Sequence, residues 1–199
     1  LHDIGRFEQL KRYDSFEPGT MDHAAYGVKV LFDEGMIRRF LPDDKWDSII
    51  YTAIAHHSDY ELPEISDPQT LLHAKLIRDE DKLDNCRVKL VDSTSTFINV
   101  SEEELGTQNI TQKVYETVFK NKCILSADRV TQMDYWVSYI VYFFDINFKE
   151  SFDIIAENDY LNRIIDRIPY SNPVTKEQME NIRVYMQNFI TSHTNSQSF

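Results

Sequence analysis

Apolar side chains recur along most of the chain at three- and four-residue intervals, the spacing that lines one face of an α-helix. Asp22 stands where an N-cap belongs, and Ala25, Val28, Leu31 and Phe32 follow it on one face. Trp46, Ile49, Ile50, Ala53, Ile54 and His57 form the next stripe, with Asp43 or Asp44 as its cap. His57 is thus expected on the apolar stripe itself, with His56 beside it. Across 70–90 two faces are apolar: Leu72, Leu76, Leu83, Cys86 and Leu90 on one, Ala74, Ile77 and Val88 with Asp81 on the other. A helix apolar on two sides belongs between neighbours, and Asp81 then points inward.

Residues 1–12 read as the end of a helix and its exit, followed by a loop over 13–20 with the turn signal Pro18-Gly19. The Ser/Thr/Glu-rich stretch 92–109 reads as a connection. Stretches 114–120, 129–144 and 148–168 read as helices, the second carrying Met133, Trp136, Val137, Ile140, Val141 and Phe144 at core spacing. Thr175-Lys176-Glu177-Gln178 resembles a capping box opening a last helix to about Ser192, with His193 and the polar tail disordered. No strand pattern and no repeat is visible, so the expected fold class is all-α.

Composition agrees with this picture. The 199 residues are 42% hydrophobic and 27% charged, and only five Gly and six Pro interrupt the helical pattern. A formal charge of -12 argues against gripping a nucleic-acid polymer, which needs a basic surface. A small phosphorylated substrate remains compatible, because a bound divalent metal reverses the local potential. Cys86 and Cys123 form neither a disulfide framework nor a metal-type spacing, and are expected to be small hydrophobes in a reducing compartment. The longest apolar run, 135–144, is too short to span a bilayer. No membrane partner and a cytoplasmic location are therefore expected.

Chemistry concentrates near the start of the chain. Four of the six histidines precede residue 60, namely His2, His23, His56 and His57, and carboxylates stand at Asp3 and in the Asp79, Asp81, Asp84 cluster. Imidazole and carboxylate together suit one or two divalent transition metals such as Mn, Fe, Co, Ni or Zn, and leave coordination positions for water. Taken singly, His57 reads as a core histidine, His23 reads equally as surface or ligand, and spacing does not choose among the three aspartates.

The motifs Leu-His-Asp-Ile-Gly-Arg at 1–6, Asp-His at 22–23, Ala-His-His at 55–57 and Asp-Lys-Leu-Asp at 81–84 stand in the order found in the HD superfamily of metal-dependent phosphohydrolases. The doubled histidine and His23 most resemble its multi-His branch, which includes the HD-GYP phosphodiesterases. The resemblance implies an HD-domain helical bundle with additional C-terminal helices: a metal-binding core over 1–91, lacking its first helices, and a helical part over 92–199 packed on the same domain. It implies His2, Asp3, His23, His56, His57 and Asp81 as metal ligands, with Asp3 able to bridge two ions. Arg6 would contact a substrate phosphate, with Lys82 a weaker candidate for the same role and Glu8 for proton transfer. The implied activity is hydrolysis of a nucleotide or other small phosphoester by a metal-bound hydroxide, with Asp3 and Arg6 as the catalytic pair. Alternatives are a non-catalytic HD module that senses a nucleotide and a di-iron oxygenase of related fold. His57 is followed by Ser58-Asp59-Tyr60, not Gly-Tyr-Pro, so cyclic dinucleotide hydrolysis is not expected. The family also places one more histidine ahead of the His-Asp pair, so residues upstream of Leu1 are expected to be missing from this chain. Assembly as a homodimer stays open.

Overall fold

The structure is a computed structural model, and it describes residues 1–16 and 19–195. Among the described residues there are eleven α-helices and no strand, so the fold is all-α. None of these helices is long and apolar enough to cross a membrane. The chain falls into two compact units, the first ending at Arg78 and the second starting at Asp79. That division lies within a helix.

The first unit holds α1 (Ile4–Tyr13), α2 (His23–Val28) with a π-helical turn after it (Lys29–Asp33), a 3-10 turn (Met36–Arg39), α3 (Asp47–Ala55) and the start of α4 (Pro68–Val91). Its small core is Val28, Leu31, Ile37 and Ile54, against which Ile4, Phe32, Leu41, Ile50 and Ile77 pack. Asp22 caps α2 as expected, its Oδ1 accepting the Ala25 N–H at 2.9 Å. Two expectations are corrected. Residues 1–12 begin a helix instead of ending one, with Asp3 at the N-cap position of α1. Neither Asp43 nor Asp44 caps α3: Trp46 holds that place, and Asp43 Oδ1 accepts the Lys45 N–H instead. Trp46 leaves the expected stripe, 38% exposed under the Lys45 ammonium.

The second unit continues α4 and adds α5 (Thr94–Phe97), α6 (Glu102–Leu105), α7 (Gln112–Val118), α8 (Gln132–Ile140), α9 (Lys149–Glu157), α10 (Tyr160–Asp166) and α11 (Pro173–Thr194). Its core is larger and centres on the fully buried Trp136, with Met133, Val137, Ile140, Ile165 and Met179. The expected helix over 129–144 is shorter. A capping box between Thr131 and Asp134 opens α8, and a 3-10 turn (Val141–Asp145) closes it. The helix expected over 148–168 divides at Asp159, whose φ of 51° is left-handed and ends α9. The last helix is not opened by Thr175. Asn172 caps it, accepting the Val174 and Thr175 N–H groups with Pro173 in the first turn, while the buried Thr175 hydroxyl donates to the Gln108 carbonyl. His193, expected in a disordered tail, lies in α11 and stacks on Phe152 at 4.6 Å. Pro18 of the expected turn and the tail residues 196–199 fall outside the described residues.

Candidate metal centre

Close approach of α1 and α2 builds the site. A Cβ on Gly5 would lie 2.0 Å from the His23 carbonyl oxygen, so only hydrogen fits there, and the two helices meet backbone to backbone. This brings Asp3, at the head of α1, beside His23, the first residue of α2. The Asp3 carboxylate does not cap the backbone N–H groups of its own helix. It faces His23 and His57 instead, with Oδ1 at 3.3 Å and 3.5 Å from their Nε2 atoms, and Oδ2 is 3.7 Å from His2 Nε2.

His57 sits just past the end of α3 and not on the helix, a further correction to the sequence expectation. Its Nδ1–H donates to the Ile54 carbonyl at 2.7 Å. That bond places a proton on Nδ1, because a carbonyl only accepts, and turns Nε2 into the cluster. His23 Nε2 lies 3.0 Å away. Both imidazoles are buried, with 8% and 1% side-chain exposure, whereas the Asp3 carboxylate is 44% exposed and opens the cluster to solvent.

The donor set fits a divalent cation. Ligand atoms about 2.1 Å from one ion at tetrahedral or octahedral angles lie about 3.0–3.4 Å apart. The three separations among His23, His57 and Asp3 are 3.0, 3.3 and 3.5 Å. His2, Asp3 and His57 also offer ligand atoms within 4.8 Å of one another. A ligand histidine commonly gives its second N–H to a backbone carbonyl, as His57 does. Burial pushes the Asp3 carboxyl up. The His23 and His57 hydrogen bonds and the nearby Arg6 and His2 charges outweigh it, holding Asp3 well below the usual carboxylate range.

The other expected residues are placed differently. Arg6 Nε lies 3.2 Å from Asp3 Oδ1, and its Nη1 points at Gln9 Oε1 at 3.4 Å. His56 donates from Nδ1 to Asp59 Oδ2 at 2.6 Å, one residue from the cluster but turned to its own partner. Asp81 lies on α4 in the second unit, part-buried. Of its neighbours, Asp79 accepts the Asn147 and Phe148 N–H groups, and Asp84 pairs with Arg87 at the surface. Glu8 pairs with Arg12 at 2.7 Å, and the buried Lys82 pairs with Asp145 at 2.6 Å.

Three residues were missed by sequence reasoning. Gln9 is fully buried, its amide donating to Thr20 Oγ1 at 2.9 Å so that its carbonyl oxygen faces Arg6. Asp59 orients His56. Arg78 is 1% exposed and reaches the backbone beside His57. A signal for Arg78 exists, since it continues the i, i+3, i+4 row of Ala74 and Ile77 on the inward face of α4. No family model, curated protein or solved structure matches the chain.

Proposed function

We propose that this chain is a metal-dependent phosphohydrolase acting on a nucleotide or another small phosphoester. The observation that carries the reading is the convergence of His23 Nε2, His57 Nε2 and Asp3 Oδ1 within 3.0–3.5 Å, with the His57 proton committed to the Ile54 carbonyl. Three electron-pair donors this close repel unless a proton or a cation lies among them. The order of the His-Asp, Asp-His, His-His and Asp-Lys-Leu-Asp motifs supports the same conclusion.

His2, Asp3, His23 and His57 would hold the ion. A divalent cation there supplies Lewis acidity and fixed positive charge toward a phosphoryl group. The protein's own groups do the rest. His23 and His57 keep the inner wall dry, the part-exposed Asp3 marks the side from which substrate enters, and the Arg6 guanidinium offers a second positive group for phosphate oxygens. His56 is oriented toward Asp59, which trims the ligand set and favours a second reading, a nucleotide-binding module without turnover.

Elemental analysis after exposure to Mn, Fe, Co, Ni or Zn, followed by a screen of nucleotides and phosphate esters, tests both. The expected result is at least one ion per chain and phosphate release. Retention without turnover selects the binding module, and no retention of any of the five metals ends both. Asp3→Ala is expected to abolish retention; full occupancy in that variant would contradict the assignment.

A further inference from the structure

The buried arginine at the foot of the histidine turn has no part in that reading. Arg78 Nη1 donates to three backbone carbonyls that follow α3: His56 at 2.9 Å, His57 at 3.3 Å and Asp59 at 2.7 Å. Helices leave their last carbonyls without partners, and a cation placed there satisfies them and opposes the helix dipole. The guanidinium is also almost wholly out of water. Burying a charge is costly unless it is hydrogen-bonded, so the three carbonyls on Nη1 and the arginine hold one another in place.

The geometry of that turn decides where His57 points. The turn 56–59 is held only sparsely by its own backbone: the His56 N–H reaches the Thr52 carbonyl at 3.2 Å, and the His57 and Asp59 N–H groups reach Ile54 and His56 at 3.4 Å each. A rotation of the His57 backbone would swing Nε2 out of the pocket that His23 and Asp3 close. From the three carbonyl bonds we infer that Arg78 is the positioning residue of the candidate metal centre. It touches neither ion nor substrate, and fixes His57 for ligation by gripping the backbone on both sides of it. This rests on the proposed function only in that His57 is a ligand there.

The test uses the full chain with Arg78→Met and Arg78→Lys, and Asp134→Ala in the second unit as a control for lost stability alone. In metal-free protein, long-range ¹H–¹⁵N spectra read which ring nitrogen of His57 carries the proton. Calorimetric titration with Mn or Zn alone reads affinity. The expected wild-type state is Nδ1–H, lost in Arg78→Met, with metal affinity falling roughly 10- to 100-fold, the usual effect of removing a group that orients a ligand. Arg78→Lys, which keeps charge but offers a single point donor, should fall between them. If Arg78→Met does not fold, Arg78→Lys carries the comparison. Wild-type tautomer and affinity in the folded Arg78 variants would overturn the inference, as would an equal affinity loss in Asp134→Ala at matched melting temperature. A wild-type chain that binds no metal sinks the proposed function, while the tautomer comparison still decides whether Arg78 sets the ring.

Discussion

At position 5 there is no room for even a methyl group, because the His23 carbonyl oxygen occupies the place a Cβ would take. Gly5→Ala must therefore push α1 and α2 apart. Overpacking of this kind costs about 1–3 kcal/mol, so the urea midpoint should fall and metal affinity should fall with it, since Asp3 and His23 ride on the two separated helices. An unchanged midpoint would show that the helices slide without penalty. Cys86 supplies a contrasting prediction. Burial raises its thiol to about 12, against a weaker pull from Lys89. The thiolate is the reactive form, so native protein at pH 8 should resist iodoacetamide at Cys86, with labelling appearing only on unfolding. The same logic explains why single residues were the hardest part to read from the sequence. His2, Asp3 and His23 stand out in the sequence and lie together, yet nothing in the spacing distinguishes His57, which turns inward, from His56, which turns to Asp59.

Among the elements, caps carry more information than stripes. The side chain of Asp134 is fully buried and accepts N–H groups from Thr111, Val130 and Thr131, closing the capping box of α8. Asp134→Ala removes a cap and strands three donors. A lost cap costs about 0.5–2 kcal/mol, and the stranded donors should push the loss to the top of that range, measured by thermal melting. Periodicity located most helices because the core of the second unit follows it: Met133, Trp136, Val137 and Ile140 are all buried at the expected spacing. It missed the ends, for local physical reasons. Asn172 and Pro173 outcompete Thr175 because together they satisfy two N–H groups and preset the first φ, whereas Thr175 is drawn inward to Gln108. Asp159 breaks a long apolar pattern by one left-handed residue, which no hydrophobic spacing reveals.

For the whole molecule, a net charge of -12 sets what can approach. The protein should show no binding to duplex DNA by fluorescence anisotropy at 0.15 M salt, where a basic surface would be needed. Tight binding there would mean that a local basic surface outweighs the total. The two compact units also differ in the make-up of their cores. The first gathers a handful of aliphatic residues, while the second is larger and buries the aromatic side chains of Trp136, Phe143 and Phe152.

That contrast has an experimental use. The chain has two tryptophans, and each unit contains one of them: Trp46, in part open to water, and Trp136, sealed from it. Their emission should separate into a red-shifted, iodide-quenchable component and a blue-shifted, shielded one. Trp46→Phe and Trp136→Phe would then turn one intrinsic signal into two independent gauges, and denaturation followed by both would report whether the units melt in one cooperative step or in succession.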